Sequence, residues 1–338
     1  MSLGTIRFVL ALMVLLNHLW LPTANRIGAH AVVAFYIISG FLMTKIVNEV
    51  YVGRWGAMRY LVNRVLRIYP LYWGIVAATV FCLFVWPQYF GSLYSLIHIP
   101  ATGEEWLANG TLYRLTDSPS ILIPPTWSLF VEVVFYVVIA VIGRWRVGVL
   151  GWFFVSLVYT AYMVLSGAPF AERYYPLTAA SMFFSTGAAL YFYGERLGLS
   201  WVARKYWIGC FVAFAVFPLL VESLGGNRLS VGFYGAAILF ILLFTAISGS
   251  GNLSGGRIDR LLGEMAYPVF LTHFFSAGVV NLVTGNRYPV TGTINFLLST
   301  LVCALMSLAI VMWFEPNMEK VRSAIRRSKA GVCMEVQP

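Results

Sequence analysis

Apolar stretches recur along the whole chain, each broken by a short polar or basic run. Stretches of roughly 17–21 residues are what a helix needs to cross the hydrocarbon core of a bilayer. Their spacing predicts helices over about 6–22, 31–48, 68–86, 127–142, 147–165, 176–193, 207–221, 231–248, 264–283 and 293–313. The expected fold is all-α, a polytopic membrane helical bundle of about 10 transmembrane helices. Most connections are short, notably Gly143 to Arg146. Two are not. Glu49 to Arg67 is a basic segment, and Pro87 to Thr126 is an excursion long enough to form a lid or a binding surface. The domain division that follows is a membrane-embedded unit over 1–315 and a basic tail over 316–338.

Composition excludes an ordinary soluble protein. Of 338 residues, 60% are hydrophobic and only 11% charged, against about 25% charged in soluble domains, and the mean hydropathy is +0.80. Met1 to Thr5 lacks a basic leader region, so the first helix is expected to be retained. Cys82, Cys210, Cys303 and Cys333 have neither metal-ligand nor paired spacing. The net charge of +10 raises nucleic acid as a partner, but the distribution of charge points to a bilayer. With the amino terminus on the cytoplasmic side, inside segments hold sixteen basic residues, clustered at Arg54–Arg67, Arg144–Arg146, Arg196–Lys205, Arg257–Arg260 and Lys320–Lys329. Outside segments hold five: Arg26, Arg114, Arg173, Arg228 and Arg287. That asymmetry predicts both termini in the cytoplasm. No internal repeat or paired helix break of the kind seen in secondary transporters stands out.

Candidate chemistry starts in the first helix. Arg7 and His18 are eleven positions apart, three turns and roughly 20°, so they share a face about 16 Å apart along the axis. Ionisable groups in a membrane span face a protein interior or a water-filled cavity. Alone, Arg7 reads equally as a snorkelling cation and His18 as a packing hydrogen bonder; together they mark a site, with imidazole as a general base. Glu132, five residues into the fourth apolar segment, reads as a partner for an imidazolium, a sugar ligand or half of an ion pair. His273 lies deep in the ninth. Arg64 and Arg67 share a helical face and suit either topology or a cytosolic phosphate. Ser39-Gly40 reads as close helix packing or a turn beside a pocket, and His30 as a residue at the outer mouth. No phosphate-cradling glycine loop, metal-binding HExxH or nucleophile elbow is present.

In order and spacing these strings resemble the acyltransferase 3 family of integral-membrane enzymes over nearly the full chain. Arg7 to His18 is similar to that family's basic-residue, spacer and histidine arrangement. Phe35 to Leu42 resembles its second helix, and Arg64, Arg67 and Tyr69-Pro70 its basic motif. Trp127-Ser128-Leu129 with Glu132 resembles its glutamate motif, and Tyr267 to His273 its late histidine motif. The resemblance implies transfer of an acyl group, commonly acetyl, from acetyl-CoA or another acyl-CoA to a hydroxyl of a bacterial exopolysaccharide, surface glycan or lipid-linked precursor. The implied location is the cytoplasmic (inner) membrane. His18, Glu132 and His273 become the catalytic candidates, with His18 as base. Arg7, Arg64, Arg67 and Tyr69 become donor-binding candidates, and Asn17, Ser39, Gly40, Trp127 and Ser128 pocket or acceptor candidates, with no metal. The 87–126 segment is the expected acceptor gate. The chain lacks the extra carboxy-terminal span and appended hydrolase-like domain of larger relatives, so a second catalytic stage is not expected in it. A transporter or flippase, acylation of a small metabolite, and a non-catalytic scaffold are the competing readings, and turnover by purified protein separates them.

The charge asymmetry makes a direct prediction. Cysteines introduced at Gln88 and Ser328 should react with membrane-impermeant maleimide from opposite sides. Labelling of both from outside would contradict the ten-crossing arrangement.

Overall fold

Each apolar run folds as a helix, and several helices extend beyond the run into polar sequence. The computed structural model describes residues 3–20, 27–197, 200–248 and 255–327, without the side chains of 200–205, 207 and 327. Arg26, Lys329 and Cys333, and the side chains of Arg204, Lys205 and Arg327, therefore lie outside the described residues. The helices are α1 (Leu3–Leu19), α2 (Ile27–Glu49), α3 (Gly56–Val85), α4 (Pro87–Phe90), α5 (Gly103–Thr111), α6 (Trp127–Ile142) and α7 (Arg146–Leu165). They continue with α8 (Leu177–Tyr193), α9 (Ser200–Ser223), α10 (Phe233–Ser248), α11 (Arg257–Thr284), α12 (Thr293–Ala309) and α13 (Glu315–Arg327). No strand occurs among the described residues. Seven stretches there are long and apolar enough to cross a membrane, and α1 and Ile208–Ser223 are shorter apolar helices. The protein is an all-helical, multi-pass membrane protein.

Burial separates a centre from a lipid-facing rim. In the most apolar windows of α2 and α11, 78% and 72% of residues are buried, against 11% for α7. Small residues let the central helices approach closely, as helix association in lipid requires. A Cβ on Gly40 of α2 would lie 2.2 Å from the Phe184 carbonyl oxygen of α8, and one on Gly187 would lie 2.1 Å from the Ile37 oxygen. At the start of α1, Asp259 of α11 accepts from the Thr5 N–H at 2.6 Å and the Thr5 hydroxyl at 2.8 Å. That carboxylate satisfies a helix-start donor that has no partner in its own helix.

Two segments differ from the sequence reading. The helix expected from 68 begins at Gly56, so most of the basic Glu49–Arg67 segment is the first three turns of α3. Its polar positions line an interior cavity, which an apolar periodicity cannot reveal. The 87–126 excursion is a folded insert rather than a loose loop. A capping box starts α5: Thr102 Oγ1 accepts from the Glu105 N–H at 3.3 Å, and Glu105 Oε2 accepts from the Ala101 N–H at 3.0 Å. The far end of α5 folds back to the middle of α3. There the Tyr69 hydroxyl donates to Thr111 O at 2.9 Å, Trp73 Nε1 to Gly110 O at 2.8 Å, and the Tyr72 hydroxyl to Asn109 O. Three aromatic donors thus satisfy carbonyls that a membrane would leave unpaired. His30, expected at an outer mouth, is 5% exposed and faces the Phe233 ring at 5.6 Å.

The α2–α8 contact carries a stability prediction. Gly40→Ala should push two backbones apart and cost about 1–3 kcal/mol by overpacking. Gly74→Ala, where an added Cβ meets nothing within 4 Å, should not. Thermal unfolding of the two purified variants compares them, and equal midpoints would contradict the close approach.

Candidate active site

His18 sits in the last turn of α1 and His273 in the buried middle of α11. His18 Nδ1 and His273 Nε2 are 3.0 Å apart. Ring centroids 5.1 Å apart with planes 1° from parallel place the rings edge to edge in one plane, as a ring-to-ring N–H···N bond requires. The proton positions follow from the partners. His273 Nδ1 lies 3.3 Å from Val269 O, and a carbonyl only accepts, so Nδ1 carries the hydrogen. A neutral His273 then accepts at Nε2, His18 donates from Nδ1, and the lone pair of His18 sits on Nε2 at the outer edge of the ring. The pair fixes one tautomer of His18.

His18 borders a cavity of about 410 Å³ that is also lined by Asn17, Gly28, Pro125, Trp127 and a cluster of aromatic rings. Trp127 meets Tyr174 at 5.3 Å and Tyr175 at 4.9 Å, and Phe170 stacks on Tyr174 at 5.3 Å. Asn17 Oδ1 accepts from the Gly28 N–H at 3.3 Å, which ties the end of α1 to the first turn of α2. Phe170, Tyr174 and Tyr175 come from the connection between α7 and α8. Sequence reasoning missed them, because nothing in a run of ordinary interfacial aromatics marks the three that face a histidine.

A second cavity, of about 300 Å³, lies further along α1 at the level of Arg7. Arg7, Arg64, Arg67, Arg322 and Arg326 line it, with Glu132, Glu319 and Ser39. The two cavities share Val32 and Phe270 as lining residues. Ser39 donates to Glu132 Oε1 at 2.5 Å, and Glu132, Tyr136, Arg64 and Arg67 lie within electrostatic reach of Arg7. Among the described residues no hydrogen bond or ion pair joins Arg7, so its guanidinium is left for whatever enters. Arg64 donates to Asn63 Oδ1 at 3.0 Å while its Nε stays buried without a partner. Arg67 is 3.5 Å from Glu315. An excess of guanidinium over carboxylate in a low-dielectric space is a site for an anion.

The residues singled out from sequence thus divide between two chambers. His18, Asn17 and Trp127 border one, and Arg7, Arg64, Arg67, Ser39, Ser128 and Glu132 the other. His273 lines neither and acts on His18 from behind. Glu132 does not orient an imidazolium; the partner of His18 is His273. Tyr69 borders neither chamber and is bonded to Thr111 instead. Gly40 also lines neither and serves the α2–α8 contact. Of the 87–126 segment, only Pro125 reaches the histidine chamber.

A basic cavity set end to end with a histidine cavity inside a membrane bundle defines a class, and the comparisons agree with it. The chain belongs to the acyltransferase 3 family, whose acyltransferase domain matches residues 2–315, as the motifs led us to expect. It is an acyltransferase. It is similar to the exopolysaccharide production protein ExoZ of Rhizobium meliloti (strain 1021), with 25% identity over 342 residues covering 90% of this chain and 94% of that one. No solved structure matches it.

The tautomer argument predicts the behaviour of His273→Phe. A phenyl ring keeps the packing but cannot accept from His18 Nδ1, and a buried donor without a partner costs about 1–3 kcal/mol. His18 should then shift its proton to Nε2, and kcat should fall on the order of ten- to a hundredfold with donor affinity unchanged. Nitrogen-15 shifts of the His18 ring report the tautomer; an unaltered tautomer with full turnover would contradict the pairing.

Proposed function

We propose that this acyltransferase moves an acyl group, acetyl first among them, from acyl-CoA to a hydroxyl of an exopolysaccharide, surface glycan or lipid-linked glycan precursor. Its place would be the bacterial cytoplasmic membrane, with the basic chamber open to cytosolic donor. The observation that carries the reading is the contact between the two chambers at Val32 and Phe270. Coenzyme A carries phosphates at one end and a thioester at the other. Arginines in the first chamber suit the phosphates. The roughly 16 Å from Arg7 to His18 is within the span of an extended pantetheine arm, which brings the thioester to the histidine chamber.

In that arrangement the acceptor hydroxyl gives its proton to His18 Nε2 while its oxygen attacks the thioester carbonyl carbon. The carbon–sulfur bond then breaks, and the departing thiolate takes the proton back from the imidazolium. His273 holds Nδ1–H of His18 throughout, so the positive charge formed at His18 has a neutral acceptor beside it. Glu132 offsets part of the charge of Arg7 and holds Ser39. The ring cluster of Trp127, Tyr174 and Tyr175 offers flat apolar faces with polar edges, a surface suited to a sugar. The name of the Rhizobium relative agrees with such an acceptor.

The proposed topology of ten crossings has support in the pairing of α1 with α11. The two run parallel, with Thr5 on Asp259 at one end and His18 on His273 at the other. Parallel helices need an even number of crossings between their starts, and with the 17-residue α8 counted as a crossing, α1, α2, α3, α6, α7, α8, α9 and α10 make eight.

His18→Ala should fold yet transfer acetyl at least about 100-fold more slowly, the usual share of a positioned base. Purified protein with acetyl-CoA and a glycan acceptor measures the rate. Mass spectrometry of surface carbohydrate from cells carrying either form should show the mass of an acetyl group missing per modified sugar in the variant. Full turnover by His18→Ala would remove the base assignment, a missing succinyl mass would replace the donor, and an unchanged glycan with a vanished small-molecule ester would replace the acceptor.

A further inference from the structure

The helix α13, at the edge of the family match and beyond it, has its charged face turned the wrong way for a surface tail. Glu315, Glu319, Arg322 and Arg326 fall at positions i, i+4, i+7 and i+11, one stripe of a helix. That stripe faces inward: Glu319, Arg322 and Arg326 line the basic chamber, and the Arg322 side chain is only 5% exposed. On the outer side of the same continuous helix, Trp313 and Val321 are exposed. A helix that merely held the chain to headgroups would turn its arginines out, as it does Lys320.

The inward charges are held by carboxylates of the helix itself. Glu315 bridges Arg67 of α3 at 3.5 Å and Arg322 at 2.8 Å. Glu319 is 3.1 Å from Arg322 and also pairs with Arg326. Asn63 of α3 donates to Arg322 O at 3.1 Å, which docks α13 over the chamber. The Arg322 Nε is buried without a partner. Two carboxylates thus serve three guanidiniums while Arg7 and Arg64 face the same space with Glu132 beside them, an excess of guanidinium that leaves donors for further anionic oxygens.

We propose that α13 forms one wall of the donor site, and that Arg322 and Arg326 bind the phosphate groups of acyl-CoA opposite Arg7, Arg64 and Arg67. The inference rests on the donor assignment made above. Arg322 is the inner residue, fixed by Glu315 and poised by its free Nε. Arg326 is the outer one, at 36% side-chain exposure, and meets the phosphates by giving up its pairing with Glu319.

The test uses Arg326→Gln in the full purified chain in nanodiscs, because removing Arg322 would take from buried Glu315 the nearer of its two cations and threaten folding. Titration calorimetry compares acetyl-CoA with S-acetylpantetheine, which has no phosphate. We expect Arg326→Gln to weaken acetyl-CoA roughly tenfold, the size of one charge-assisted hydrogen bond, and to leave S-acetylpantetheine unchanged. Arg326→Lys, which keeps the charge, should lose less. Equal affinity of wild type and Arg326→Gln for acetyl-CoA would overturn the proposal while leaving the function standing. So would a variant that loses only its preference for nanodiscs containing anionic lipid, which would make α13 a headgroup anchor. If wild type itself does not bind acetyl-CoA, the proposed function falls, and this inference with it.

Discussion

The register of α1 against α11 is the constraint on which the site depends. Fourteen residues separate Gly4 from His18 and fourteen separate Asp259 from His273, so two parallel helices paired at one end meet again at the other. The lower contact is close: a Cβ on Gly4 would lie 2.0 Å from the Asp259 carbonyl oxygen, and the Asp259 carboxylate caps Thr5. A slip by one residue would rotate His18 by about 100° and take its Nδ1 off His273. The small residue and the carboxylate therefore set the geometry of an imidazole pair some four turns away. Apolar packing alone lacks the direction to do this, since lipid competes for every Leu and Val contact.

Around that pair the molecule separates two kinds of environment. One chamber collects guanidinium groups from α1, α3 and α13. The other collects aromatic rings from α6 and the α7–α8 connection around a single histidine face. Val32 and Phe270 border both, which is where the two environments meet. His18 has a histidine, not an arginine, as its immediate hydrogen-bonding neighbour. Ser39 and Glu132 stand on the arginine side, where a carboxylate lowers the net charge without reaching the base.

The sequence made the helices and the chemistry-bearing positions legible and left most of their pairings hidden. Arg7 and His18 were readable as one face because both lie in one helix, and the Arg64–Arg67 spacing likewise. The bond between His18 and His273 joins residues 255 apart, and no periodicity reports such a contact. Glu132 illustrates the same limit. A carboxylate in a span predicts a polar partner, but Ser39, 93 residues away, is as ordinary in sequence as any small residue. Boundaries failed where polar residues lined an interior. The start of α3 falls outside the apolar run because Arg59, Asn63, Arg64 and Arg67 interrupt the pattern, although they remain helical. The 87–126 segment reads as a gate from its length, while the donors that fix it, Tyr69, Tyr72 and Trp73, sit in another helix.

The tail shows why charge counting and charge placement are different arguments. The basic residues after Glu315 contribute to the asymmetry from which an orientation is read, and that use needs only their sign and side. Their three-dimensional arrangement adds something that the count cannot contain. Glu315 and Glu319 recur on the arginine face, which a stretch serving only to hold anionic lipid has no reason to provide, since each carboxylate opposes the headgroups. Carboxylates make sense on that face if the arginines are interior, where unpaired charge is costly before a ligand arrives. Arg322 and Arg326 thus count toward the charge asymmetry and, in the folded chain, also line the arginine chamber.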